Sequence, residues 1–126
     1  MNMSIYTAAE VAEYLSGRAA SYGGDLQDIL DETPVSLWDS PTELMTFWEN
    51  RDLSHIFPQS DFPELADVWG NIIAEDPSDN RARGDDIMSS EEVVVAEYNN
   101  DEFADIIDDE IVDDSADFLE ELLEFV

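Results

Sequence analysis

Three features of the sequence predict an all-α fold, a compact small helical domain. Two segments open with helix-capping signatures, Thr7 with Glu10 and Ser40-Pro41 with Glu43. Apolar residues after each recur at three- and four-residue spacing, which gathers them on one helix face. The chain is also 44% hydrophobic, with three Trp, six Phe and four Tyr beside 33 Asp and Glu. A disordered acidic chain is poor in such residues, because it has too little apolar surface to offset the entropy of ordering. Residues 1–126 therefore read as a single acidic domain, most acidic over 101–126. The alternative is α+β, with a strand near 92–98.

The first helix is "TAAEVAEYLSGRAASY", Thr7 to Tyr22, with Val11, Tyr14, Leu15 and Ala19 inward and Gly23-Gly24 as its stop. "DLQDILDE" follows, capped by Asp25, with Leu26, Ile29 and Leu30 on one face. Pro34 interrupts the chain. "SPTELMTFWEN" places Ser40 at the cap, Pro41 in the first turn and Glu43 where it closes a capping box; Leu44, Phe47 and Trp48 point one way. "RDLSHIFPQSDF" reads as a connection with a short apolar segment. "PELADVWGNIIAED", 63–76, reads as a further helix with Leu65, Val68, Trp69, Ile72 and Ile73 as its stripe, although Gly70 weakens it. Asp76 to Ser90 reads as a polar loop. In "EEVVVAEY" three consecutive valines favour a strand, whereas Ser89 with Glu92 favours a helix cap. Asn99-Asn100 reads as a break. Residues 101–126 form one or two helices, divided near 113–115. No repeat of 20–50 residues is present.

The residue types for most chemistry are missing. Without Cys there is no disulfide, thiolate metal site or thiol nucleophile. His55 is the single His, and no nucleophile elbow or glycine-rich phosphate loop accompanies it. Asp76, Ser78 and Asn80 begin like a calcium loop, but its sixth and twelfth places hold Arg81 and Ile87 where Gly and Glu are required. Arg83 to Asp85 spells RGD, a match of chance length. The reading is a non-enzyme with no cofactor, no catalytic residue and no dedicated metal site. The start has no basic and apolar leader, and no apolar run approaches the ~18 residues of a membrane span. A cytoplasmic location is therefore expected.

Charge is the remaining signal. Four Arg and no Lys oppose the 33 acids, leaving a formal charge of -29. Residues 1–50 carry -8, 51–100 carry -9, and 101–126 carry -12 with no base at all. Such a charge repels nucleic acid and anionic membranes and attracts basic proteins. On the scale of duplex DNA it corresponds to about 50 Å of helix axis. A domain of this length is about 35–40 Å across. In the last segment Asp101, Glu102, Asp105, Asp108, Asp109, Asp113, Asp114, Asp117, Glu120, Glu121 and Glu124 recur at helical intervals. Such neighbours sit ~5–6 Å apart on a helix, a spacing on the scale of backbone phosphates. These residues are the candidate phosphate-mimicking surface. The plainer account is a solvated helix face, but such faces usually mix both signs, and this one holds no cation.

Two resemblances bear on this reading. "YTAAEVAEYL", Tyr6 to Leu15, resembles the first helix of excisionase-type and MerR-type helix-turn-helix proteins. The continuation "SGRAASYGGDLQDILDE" holds one Arg and four acids, which phosphates would repel, so no direct nucleic-acid binding is expected. In length, acidity, aromatic content and the acidic ending "SADFLEELLEFV", the whole chain resembles phage antirestriction proteins of the overcome-classical-restriction type and acidic anti-CRISPR inhibitors. That resemblance is compositional. It implies a DNA mimic that blocks a host restriction-modification or CRISPR enzyme by occupying its DNA site, often as a homodimer. The alternatives are an immunity protein, antitoxin or chaperone neutralising a basic partner, or an interaction protein adapted to high salt.

Overall fold

Helix α1 (Ala8–Ala20) starts as its sequence predicts. In the computed structural model, which describes residues 6–110 and 117–126, the Thr7 hydroxyl accepts the Glu10 N–H at 3.1 Å. The Glu10 carboxylate in turn accepts the Thr7 N–H at 2.9 Å. Val11, Ala12, Leu15 and Ala19 form the buried face. The exit runs through Gly23, at φ +82°, where a Cβ would lie 1.8 Å from the Asp67 carbonyl oxygen. Only Gly fits both the left-handed backbone and that approach. Helix α2 (Leu26–Asp31) has a reciprocal box between Asp25 and Asp28. Helix α3 (Pro41–Glu49) has half of the expected one: Ser40 accepts the Glu43 N–H at 3.2 Å, but the Glu43 side chain turns inward and is buried.

The helix expected over 63–76 is not formed. Two short 3₁₀ turns, Pro63–Leu65 and Trp69–Asn71, lead into strand β2 (Ile72–Glu75). It pairs antiparallel with β1 (Asp52–His55), from Asp52 opposite Glu75 to His55 opposite Ile72. Ile72 and Ile73 are both buried, which a strand covered on both faces allows. Asn71 fixes the turn: its amide donates to the Phe57 carbonyl at 3.0 Å and accepts the Phe57 N–H at 2.8 Å. Leu65 and Trp69 are half-buried and Val68 is exposed, so the supposed stripe is no stripe.

Two further expectations are corrected. The supposed loop after Asp76 contains helix α4 (Pro77–Arg83), with Asp76 accepting the Ser78 N–H at 2.8 Å and Pro77 in the first turn. No strand forms near 92–98. Ser89 and Glu92 exchange bonds of 2.8 and 3.1 Å, and helix α5 (Ser90–Glu110) runs through the valines and through Asn99-Asn100. Asn100 does not break it, because its amide donates to the Ala74 carbonyl on the open edge of β2 at 2.8 Å. Helix α6 (Phe118–Leu123) closes the chain; the division expected near 113–115 lies outside the described residues.

The described residues are thus mainly helical with a small two-stranded antiparallel sheet, compatible with the α+β alternative, although the strands lie at 52–55 and 72–75 and not near 92–98. Helix α1 packs on α2, α3 and α6, and α5 packs on α3 and β2. Trp48, Phe47, Leu15, Ile29, Leu30, Leu44 and Leu122 are inaccessible at the centre. The Trp48 indole N–H donates to the Thr33 hydroxyl at 2.9 Å, so the largest core side chain has its polar atom satisfied.

Candidate functional site

The site begins with where the cations go. Arg18 donates to the Trp48 carbonyl and, at 2.9 Å, to the Arg51 carbonyl, tying α1 to the end of α3. Arg51 is buried, its guanidinium 4.3 Å from the Phe103 ring centre and 3.6 Å from Asp76. Burial pulls its pKa down, against the opposing pull of Asp76 and Asp79. Arg83 grips both oxygens of Glu75, one at 2.7 Å, with side chains only 7% and 4% exposed. The Glu75 bonds hold its pKa up. Carbonyls, rings and a planar carboxylate all suit a guanidinium fork better than an ammonium, which accounts for Arg without Lys. Among the described residues only Arg81 is an exposed arginine.

The acids go outward. Asp101, Glu102, Asp105, Asp108 and Asp109 are exposed on α5, and Asp117, Glu120, Glu121 and Glu124 are exposed on and beside α6. Asp113 and Asp114 lie outside the described residues. The described acids stand on two helices with different neighbours: α5 lies on α3 and β2, and α6 lies on α1. Each helix buries an apolar side: Ala96, Ala104 and Ile107 with Asn100 on α5, Phe118 and Leu122 on α6. Of the remaining apolar residues at the end, Leu119 is half-buried while Leu123, Phe125 and Val126 are exposed.

Sequence reasoning missed several participants. Glu43, 3% exposed, has its pKa raised to about 7 by burial and by the Asp108 carboxyl, which hydrogen-bonds it. Asp108 is therefore part of a carboxyl pair as well as of the acidic face. Glu32 is likewise pushed up to about 7, first by burial and then by Glu97 across a cleft of about 260 Å³ that Asp101 also lines. Tyr98 donates to Glu102 at 2.9 Å, and with Val94 and Val95 it lies exposed on α5. The signal for them was the Ser89–Glu92 cap: once 90–110 is a helix, residues 91, 94, 95, 98, 102, 105 and 109 share its outer side.

Other sequence candidates have structural places. His55 contacts the Ala66 carbonyl at 3.0 Å and the Tyr22 ring at 5.4 Å. Asp76, first residue of the failed calcium loop, caps α4. Among the described residues no three His, Cys, Asp or Glu side chains gather as a metal-binding group, and no helix is long and apolar enough to cross a membrane. The chain matches no protein-family model, no curated protein and no solved structure.

Proposed function

We propose that this protein is a DNA-mimic inhibitor that occupies the DNA-binding site of a basic nucleic-acid-binding protein, foremost a restriction-modification or CRISPR defence enzyme in a host cytoplasm. The observation that carries the reading is the separation of charge. Arg18, Arg51 and Arg83 are held by internal partners; Arg83 also lies 3.9 Å from Glu92 at the start of α5, and the exposed acids of α6 and of the C-terminal half of α5 stand without a described compensating cation. Such a field attracts a phosphate-binding channel from a distance and resists nucleic acid itself. Fixed helices hold the charges at spacings of about 5–6 Å, on the scale that a channel built for phosphates accepts.

The test is competition. A restriction or CRISPR enzyme that binds this protein should bind it or duplex DNA but not both, with affinity falling steeply as salt rises. Neutralising Asp101, Asp105, Asp109, Glu120 and Glu124 stepwise to Asn or Gln should weaken the complex progressively, since exposed pairs contribute about 0.2–1 kcal/mol each. A ternary complex with DNA at full affinity would refute the mimic. The exposed Val94, Val95 and Tyr98 favour a second reading, a neutraliser of a basic protein through one anchored patch; it predicts a single dominant residue in the same series.

A further inference from the structure

The outer side of α5 changes character along its length. Its C-terminal half is mainly carboxylate, with Ile106 exposed among the acids, whereas its N-terminal half exposes Val94 at 64%, Val95 at 55% and Tyr98 at 61% beside Glu91, Glu92 and Glu97. Neither the core nor the helix accounts for these residues. Of the three consecutive valines only Val93 packs inward, against the small cluster of Ile73, Met88 and Ala96. Valine is also a poorer helix former than alanine, so Val94 and Val95 weaken the helix they sit on. Tyr98 is tied along the helix, because its hydroxyl donates to Glu102 at 2.9 Å, which leaves an exposed ring with a carboxylate at its tip. Val95, Ala82 and Ala96 line a cleft of about 520 Å³ that Asp79, Glu91 and Glu92 also border; Arg83 lines it as well, with its charge met by Glu75 and Glu92.

We propose that this half of α5, centred on Val94, Val95 and Tyr98, is a docking face for arginine side chains of a basic protein partner. The proposal rests on the charge reading above, attraction of a basic protein, and supplies the anchored patch that the second reading calls for. Charge decides the occupant. The apolar residues are bordered by Glu91, Glu92, Glu97 and Glu102, so a second copy would set carboxylate against carboxylate. An arginine matches both parts: its aliphatic stem lies on Val94 or Val95, its guanidinium stacks on the Tyr98 ring, and Glu102 or Glu91 accepts its N–H groups. A lysine keeps the charge but loses the planar stacking and the fork.

Two capped peptides, hexa-arginine and hexa-lysine, test this on the full chain at low salt by calorimetry, with amide NMR to map the contact. The wild type should prefer hexa-arginine by about fivefold or more, with the largest shifts over 91–102. Y98A and V94A/V95A should bring the two affinities within about twofold of each other, while Y98F, which keeps the ring, retains most of the preference. The alanine variants should melt at or above the wild-type temperature, because alanine favours the helix. If both peptides bind and Y98A keeps the full preference, the docking face is wrong and the charge reading survives. If neither peptide binds, both fail. A concentration-dependent dimer that V94A/V95A abolishes would overturn the proposal in favour of a second copy.

Discussion

Replacing Glu43 with Gln probes one of two carboxyls that the fold pushes up to about 7. Its pKa stands at about 7 instead of 4.5, for burial first and for the hydrogen bond and charge of Asp108 next; Asp39 adds to the rise and Ser40 opposes it. In the unfolded chain the group titrates near its ordinary value. Between those two values the native state therefore holds a proton that the unfolded state has lost. The contribution of the protonated pair is complete below about pH 4.5, declines as pH rises toward 7, and is gone above it. At ~1.4 kcal/mol per pKa unit, the ceiling is about 3 kcal/mol. Glu32, also pushed up to about 7 by burial first and Glu97 next, acts with the same sign. Asp76 and Glu92 are shifted down, by the Ser78 hydroxyl and the Ser89 N–H first, so their contributions are lost only in more acidic solution.

Urea denaturation across about pH 5 to 8 should then show a protein that gains stability on mild acidification, the opposite of acid denaturation. E43Q keeps the shape and cannot ionise. It should be nearly neutral near pH 5 and more stable than wild type by up to about 3 kcal/mol near pH 8. A wild type whose stability climbs with pH over this window would refute the reasoning. So would an E43Q effect of equal size at both ends.

Two further outcomes are expected. Removing residues 117–126 should destabilise the whole domain by about 3–6 kcal/mol, the burial of Phe118 and Leu122; melts at several concentrations would expose α6 as a dispensable tail if they stayed unchanged. R83M should cost about 3–5 kcal/mol by stranding Glu75 in the interior, and adding E75L should recover part of it; a single variant as stable as wild type in urea would remove the pair from the fold's supports.

The elements legible in the sequence are those that local chemistry specifies. Thr7–Glu10, Asp25–Asp28 and Ser40-Pro41 mark α1, α2 and α3 because a cap and its N–H partner lie within three residues of each other. The sheet was illegible for the opposite reason. Leu65, Val68, Trp69, Ile72 and Ile73 mimic a helical period, and only pairing with Asp52–His55, about twenty residues earlier, makes 72–75 a strand. Nor does β1 alternate, since Leu53 and Ser54 are both buried. At the candidate site the outward placement of the acids was readable from spacing. Their split between two helices on different neighbours, and the meeting of Glu43 with Asp108, depend on packing between distant segments and leave no local trace.

This division also explains why the described parts of a segment with twelve carboxylates and no base are helical. A flexible acidic tail carries the same charge, but a partner would have to order it, at about 1–2 kcal/mol of backbone entropy per residue fixed. In α5 that cost is met during folding. Its buried side is largely small, with Ala96, Asn100 and Ala104 against β2 and α3, so the helix lies close to its supports. Asn100 locks it to the edge of β2, and the Arg51 guanidinium stacks against Phe103 from below. Arg81 is the one exposed arginine among the described residues, whereas Arg18, Arg51 and Arg83 sit within the fold, where they oppose self-repulsion. Moving one of them outward would ease desolvation but halve nothing of the repulsion at the surface it left, while placing a positive charge where a basic partner must dock. The inward arginines and the outward carboxylates are two consequences of one requirement: a charge that is both dense and fixed.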